Sequence, residues 1–110
     1  MPRPFAAVVL GLGEDGHFAS LFPGMPGLAA ALDLANTTAV IAGEAPVEPR
    51  ARLSLTLRTL VDTDLLVLHI AGAGKLATLR DAEIHGSALE MPVRALLQQH
   101  RVPLEIYHSP

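Results

Sequence analysis

Two largely apolar runs, each released into a glycine turn, constrain what this chain can fold into more than any other feature. Phe5-Ala6-Ala7-Val8-Val9-Leu10 ends in Gly11-Leu12-Gly13, and Leu65-Leu66-Val67-Leu68-His69-Ile70-Ala71 ends in Gly72-Ala73-Gly74. Short apolar runs bounded by turn residues are the pattern of strands buried on both faces, and such strands occupy parallel sheets. A parallel pair needs a crossover of a dozen or more residues, and the intervening chain has helical material for it. His17 to Phe22 reads as a brief helical turn stopped by Pro23-Gly24, and Leu28 to Leu34 as a short alanine-rich helix. Thr38 to Ala42 reads as a strand. Leu53-Ser54-Leu55-Thr56-Leu57 alternates apolar and hydroxyl residues with a period of two, which predicts a strand with one face buried. Arg58 to Val61 suits a short helix, and Lys75 to Ile84 an amphipathic one ended by Gly86. Pro92 is placed to open a last helix, Val93 to Gln99, before a closing strand from Val102 to Tyr107. The recurring strand, glycine turn and helix predict an α/β chain with a mostly parallel sheet.

Composition excludes several classes of function. At 110 residues the chain is one small domain's worth of sequence, with no repeat, low-complexity segment or dividing linker. Without cysteine, thiol nucleophiles, disulfides and thiolate metal sites are out. A net charge of -3 and no run of Lys or Arg argue against nucleic acid as a partner. The apolar runs fall far short of the roughly 18 residues that span a bilayer, and the start Met1-Pro2-Arg3-Pro4 lacks a secretory apolar region. No membrane association and a cytoplasmic location are expected. His85, His100 and His108 lack metal-ligand spacing, and His69 reads as a hydrogen-bonded core histidine; no metal and no cofactor are implied.

Gly11-Leu12-Gly13-Glu14-Asp15-Gly16 matches G-x-G-x-x-G directly after a strand, yet a dinucleotide is a poor fit. Glu14 and Asp15 would face the pyrophosphate, and Pro23 interrupts the helix that should follow. What the loop offers is Asp15-Gly16-His17 at a strand's carboxyl end, where open α/β sheets place their ligand crevice. A histidine there is able to act as general base on water, with a neighbouring carboxylate orienting its ring. The alternative has Asp15 capping a following helix, with His17 an exposed first-turn residue. Gly74-Lys75 is not a nucleotide P-loop, since His69 and Leu76 occupy positions that motif reserves for glycine and Ser/Thr. Lys75, the only lysine, sits in a helix's first turn, where it opposes the dipole and an anion would relieve the conflict. Ser20 has no nucleophile-elbow context.

The fourteen residues from Gly11 to Gly24, GLGEDGHFASLFPG, closely resemble the signature of the 6-phosphogluconolactonases, in the glucosamine-6-phosphate isomerase/6-phosphogluconolactonase family. Arg52-Leu53-Ser54-Leu55-Thr56-Leu57 after Pro49 resembles that family's arginine-led strand, and Ile70-Ala71-Gly72-Ala73-Gly74-Lys75 its strand, turn and lysine. Leu89 to Pro110 resembles its C-terminal end. The resemblance implies a three-layer, mostly parallel Rossmann-like sheet with helices on both faces, present as an incomplete, C-terminal half of the domain. It implies hydrolysis of 6-phosphogluconolactone, with His17 as general base and Asp15 orienting it or contacting the sugar. Arg52 and Lys75, together with Gly13 and Gly16, would then bind substrate and its phosphate; ordinary surface charge is the other reading of the two cations. The family's front portion, with a Gly-Gly-Ser/Thr phosphate loop and an Asp-Glu-Arg segment, has no counterpart in this sequence. A missing N-terminal half or self-association is therefore the expected partner besides the phosphorylated sugar lactone. Glucosamine-6-phosphate deaminase chemistry is the rival activity, although Ala19 to Gly24 departs from the deaminases' asparagine-glutamate-proline run. A non-catalytic phosphosugar-binding remnant is the reading from a different class.

Overall fold

The computed structural model describes residues 4–84 and 86–110, so the histidine at 85 and the first three residues lie outside the described part. In chain order the elements are β1 (Val8–Gly11), α1 (Leu28–Leu32), β2 (Val40–Glu44), β3 (Ala51–Leu55), α2 (Leu57–Leu60), β4 (Leu66–Ala71), α3 (Ala73–Glu83), α4 (Val93–Gln98) and β5 (Leu104–Ser109). Strands β1, β4 and β5 form a parallel sheet in that order, while β2 and β3 pair as a separate antiparallel ribbon. The α/β architecture with a parallel sheet is thus the expected one, but among the described residues the helices pack on one face of the sheet and not on both. Phe5 contributes only an isolated bridge to Thr63, ahead of the strand proper.

The two glycine-terminated runs do form the adjacent parallel strands β1 and β4. They are not buried on both faces. Leu66, Leu68 and Ile70 are fully enclosed, whereas Val67 is half-buried and His69 and Ala71 are exposed. On β1, Leu10 faces the core and Val9 is 66% exposed. The reason is topological. Both crossovers, β1 to β4 and β4 to β5, step across the sheet in the same direction, and right-handed crossovers of that kind lie on one face. Residues from all four helices accordingly join the cluster built on Leu10, Leu66, Leu68 and Ile70: Leu28, Leu57, Leu60, Leu79, Val93 and Leu96 among them.

Three further expectations are corrected. His17 to Phe22 is not helical: Phe18 bridges back to Leu21, with Ala19 at a φ of 51°. Both bridging residues are fully buried, and such burial is worth about 1.5–3 kcal/mol per side chain, more than a single left-handed alanine costs. The strand predicted over 53–57 ends at Leu55, and its inward face is the hydroxyl one, with Leu53 74% exposed and Ser54 buried. The hydroxyl is turned inward because Ser20 N–H donates to its Oγ (3.2 Å) and it donates to the Leu55 carbonyl (3.0 Å), so each buried polar group has a partner. Leu57 belongs to α2 and not to the strand. Finally, His69 is an exposed residue, 3.3 Å from the Ser109 hydroxyl through Nε2, and not a core histidine.

Pro92 directly precedes α4 with helical dihedrals, as expected of a proline at a helix start. Arg94 on that helix ties α4 to the end of α3, donating to the carbonyls of Asp81, Ala82 and Ser87 at 3.1–3.3 Å. These include carbonyls that a helix C-terminus leaves without internal partners, and a cation there suits the dipole. A Cβ at Gly86 would lie 2.1 Å from an Arg94 terminal nitrogen, so the chain passes this clamp without a side chain.

Candidate active site

The carboxyl ends of β1 and β4 bring the two glycine loops together. From β1 the chain enters a tight turn in which Gly13 N–H donates to the His17 carbonyl (2.9 Å) and Gly16 N–H to the Gly13 carbonyl (3.0 Å). Asp15 closes the turn on itself: its Oδ1 accepts from the His17 backbone N–H at 3.0 Å and lies 2.5 Å from His17 Nδ1. A carboxylate on Nδ1 selects the tautomer with its proton there, and the lone pair of the neutral ring is then on Nε2. A Cβ on Gly13 would fall 2.1 Å from Cε1 and Nδ1 of the imidazole, so the ring lies directly against the Gly13 backbone. Phe22 packs on the ring as well, with centroids 4.4 Å apart and planes tilted by 36°. The imidazole is therefore held by a carboxylate, a backbone and an aromatic ring. It is not a capping arrangement, since no helix follows the turn before α1.

An open cleft of about 460 Å³ lies beside this loop, lined by residues of β1, by Leu12, Gly13, His17 and Ala19, and by Lys75. Lys75 arrives on the first turn of α3. The turn is tied to the histidine loop by the Thr78 hydroxyl, which is 3.1 Å from the Glu14 carbonyl and from the Gly74 carbonyl. Glu14 itself approaches the helix start, its Oε1 lying 3.3 Å from where a Gly74 Cβ would sit. A larger cleft, about 660 Å³, lies elsewhere, lined by Arg58, Asp62, Asp64 and Arg101 among others, and includes none of the motif residues.

Arg52 does not line the cleft beside His17. It reaches the site indirectly, its Cζ 5.6 Å from the centroid of the Phe22 ring and its Nε donating to the Pro49 carbonyl at 2.8 Å. Gly16 is not in the lining either. At φ +89° a Cβ on it would lie 3.1–3.2 Å from Met91, and its carbonyl accepts from Val93 N–H at 2.9 Å, so it seats the loop against the start of α4. Three contacts were not anticipated from sequence: Phe22 on the imidazole, Thr78 on the loop, and Ser54 receiving Ser20. Phe22 lies within the fourteen-residue signature, which was the available signal. Among the described residues no group of three or more His, Asp or Glu is arranged to hold a metal ion, and no helix is long and apolar enough to cross a membrane.

A parallel sheet with a carboxylate-held histidine and a helix-borne lysine at its carboxyl edge defines an α/β protein whose candidate site lies where such sheets place their ligand crevice. Within that class, residues 1–104 match the family described as glucosamine-6-phosphate isomerases/6-phosphogluconolactonase, and the chain belongs to that family. It is 47% identical over 107 residues to a 6-phosphogluconolactonase of Rhizobium meliloti, covering 97% of this chain and 46% of the relative. A Caulobacter vibrioides 6-phosphogluconolactonase is 48% identical over 105 residues, covering 94% of this chain and 44% of the relative. Among solved structures, a 6-phosphogluconolactonase from Shewanella baltica superposes with a TM-score of 0.91 at 34% identity, covering 100% of this chain and 46% of that one. The chain thus spans under half the length of these relatives.

Proposed function

We propose that this chain carries the general-base side of a site that hydrolyses 6-phosphogluconolactone to 6-phosphogluconate, and corresponds to the C-terminal half of a lactonase domain. The observation that carries the reading is the Asp15–His17–Gly13 arrangement, which leaves Nε2 as the proton acceptor beside a cleft shared with Lys75. In the reaction, Nε2 takes a proton from water as the water oxygen bonds to the lactone carbonyl carbon. The tetrahedral oxyanion then collapses, the bond to the ring oxygen breaks, and that oxygen accepts a proton to become the free hydroxyl. Asp15 stabilises the imidazolium that forms in between. Lys75 and Arg52 supply positive charge for the substrate phosphate. Gly13 and Gly16 shape the loop that presents the base.

The uncovered face of the sheet and the unpaired edge of β1 support an incomplete site, with the remaining portion of a full-length domain adding the rest of the phosphate cradle. The test follows hydrolysis of freshly prepared 6-phosphogluconolactone, corrected for spontaneous ring opening, by the 110-residue chain alone and combined with the other portion of a relative's domain. His17→Ala is expected to lower the catalysed rate by about 10²–10⁴-fold, and Asp15→Asn to lower it less. Equal rates for wild type and His17→Ala in both settings overturn the proposal and leave binding without catalysis.

A further inference from the structure

We infer that Phe22 is a positioning residue that holds the base and the Arg52 guanidinium on one aromatic platform, so that the two are set together and not independently. The inference rests on reading His17 as the base. Phe22 is buried, and its ring touches both the His17 imidazole, at 4.4 Å between centroids, and the Arg52 guanidinium, at 5.6 Å. The second contact is within cation–π range. The two residues it joins come from different parts of the fold, His17 from the loop after β1 and Arg52 from β3 in the separate ribbon.

Other contacts keep the ribbon against the loop around this ring. Ser20 N–H donates to Ser54 Oγ at 3.2 Å, two residues from Arg52 along β3. Gly43, paired with Arg52 across the ribbon, would bring a Cβ within 2.9 Å of the Met25 sulfur, so Met25 packs directly on its backbone. These ties position the backbones. The Phe22 ring is the group that touches both functional side chains. Arg52 donates through Nε to Pro49, and among the described residues its terminal nitrogens meet no acceptor, which leaves them to an anionic ligand. A phosphate drawn to Arg52 would thereby be located relative to Nε2 of His17 by the ring that both adjoin.

The test is made first on the 110-residue chain by NMR of the His17 ring and the Arg52 side chain. In Phe22→Leu, which keeps an apolar side chain, both sets of resonances are expected to move, with His17 losing its ring-current shift; Phe22→Tyr should keep both near wild type. Arg52→Gln serves where Phe22→Leu fails to fold: it should shift His17 signals in the wild-type background although no hydrogen bond joins the two residues. Unmoved Arg52 signals in folded Phe22→Leu, or unmoved His17 signals in Arg52→Gln, overturn the inference. In the reconstituted hydrolysis assay, Phe22→Leu should lower kcat by about 10-fold and up to 10²-fold, the scale of a small misplacement of the reacting group, and raise KM. It should add no further kcat loss to His17→Ala and no further KM increase to Arg52→Ala, as expected of coupled residues. Additive effects overturn the platform. A His17→Ala chain that hydrolyses as fast as wild type defeats the base assignment instead, while the resonances still report whether Phe22 links the two side chains.

Discussion

The two faces of the three-stranded sheet meet opposite fates, although each carries apolar side chains. On one, Leu10, Leu66, Leu68 and Ile70 line up across β1 and β4 and vanish from solvent; on the other, Val9 and Tyr107 stand 66% and 55% exposed, with Ala71 beside them. The open face is the more polar one, with His69, Glu105 and Ser109, yet Val9, Val67 and Tyr107 stand there too, so hydrophobicity alone does not decide which face is covered. Chain direction does, because two crossovers of the same hand and the same direction deliver every helix to one side. The radius of gyration is 13.2 Å, close to the roughly 13 Å expected for a compact chain of about this length. The open face is thus a property of topology and not of an unfolded arrangement. The relatives, with more than twice the matched length, have sequence available to cover it.

Truncations on the two faces should separate most strongly. Leu68→Ala removes a fully buried side chain, and such changes cost about 2–5 kcal/mol, a large share of a small domain's stability. Val9→Ala, on the same sheet, should stay within about 0.5 kcal/mol, the range of surface changes. Urea unfolding of both variants measures the contrast. A Val9 variant as damaged as Leu68→Ala would mean that the open face is covered in solution.

The covered face also depends on α3 and α4 staying locked to one another, and Arg94 is the clamp. Arg94→Ala leaves the Asp81, Ala82 and Ser87 carbonyls without this donor, and a loss of about 1–2 kcal/mol is expected, in line with hydrogen bonds from a charged group. Arg94→Lys should recover only part of it, since one ammonium does not reproduce the planar fork. A melting curve unchanged by Arg94→Ala would show that core packing alone joins the two helices.

Exposed apolar surface beside an unpaired strand edge favours association between copies. Sedimentation of the isolated chain is expected to be concentration-dependent, and Val9→Lys should shift it towards monomer with little change in the urea midpoint. A monomeric profile for the wild type at all concentrations would show that the face is tolerated by water without a partner.

The histidine loop was legible in sequence because its chemistry is local: Asp15 and His17 are two positions apart, and Gly13 is the only residue type that admits the ring where it lies. The strands were legible from the apolar runs, and α4 from Pro92. What escaped reading depends on distant partners. The phase of β3 is set by Ser20 needing the Ser54 hydroxyl, 34 positions away. The exposure of His69 follows from the direction of the crossovers, which a buried-looking run does not encode. Phe22 is one residue of the fourteen-residue signature, and only the fold shows that its ring is shared by His17 and Arg52. The segment from His17 to Phe22 has only Ala19 and Leu21 as strong helix formers, and burying Phe18 and Leu21 together decides against a helix.

That last segment yields the smallest expected effect and a direct probe of how the covered face serves the site. Ala19 holds a φ of 51° between the buried Phe18 and Leu21. A left-handed alanine costs about 1–2 kcal/mol, because its Cβ crowds the following carbonyl. Glycine removes that crowding but gives the unfolded chain more freedom, which returns about 0.5–1 kcal/mol of the gain. Ala19→Gly should therefore raise stability by about 0.5 kcal/mol, while Ala19→Val, β-branched at the same φ, should lower it. Both are read in thermal melts, with the His17 resonances as a check that the loop keeps its place. If Ala19→Gly lowers the midpoint, the alanine is not strained in solution, and the anchoring of the loop by the covered face is weaker than its buried neighbours imply.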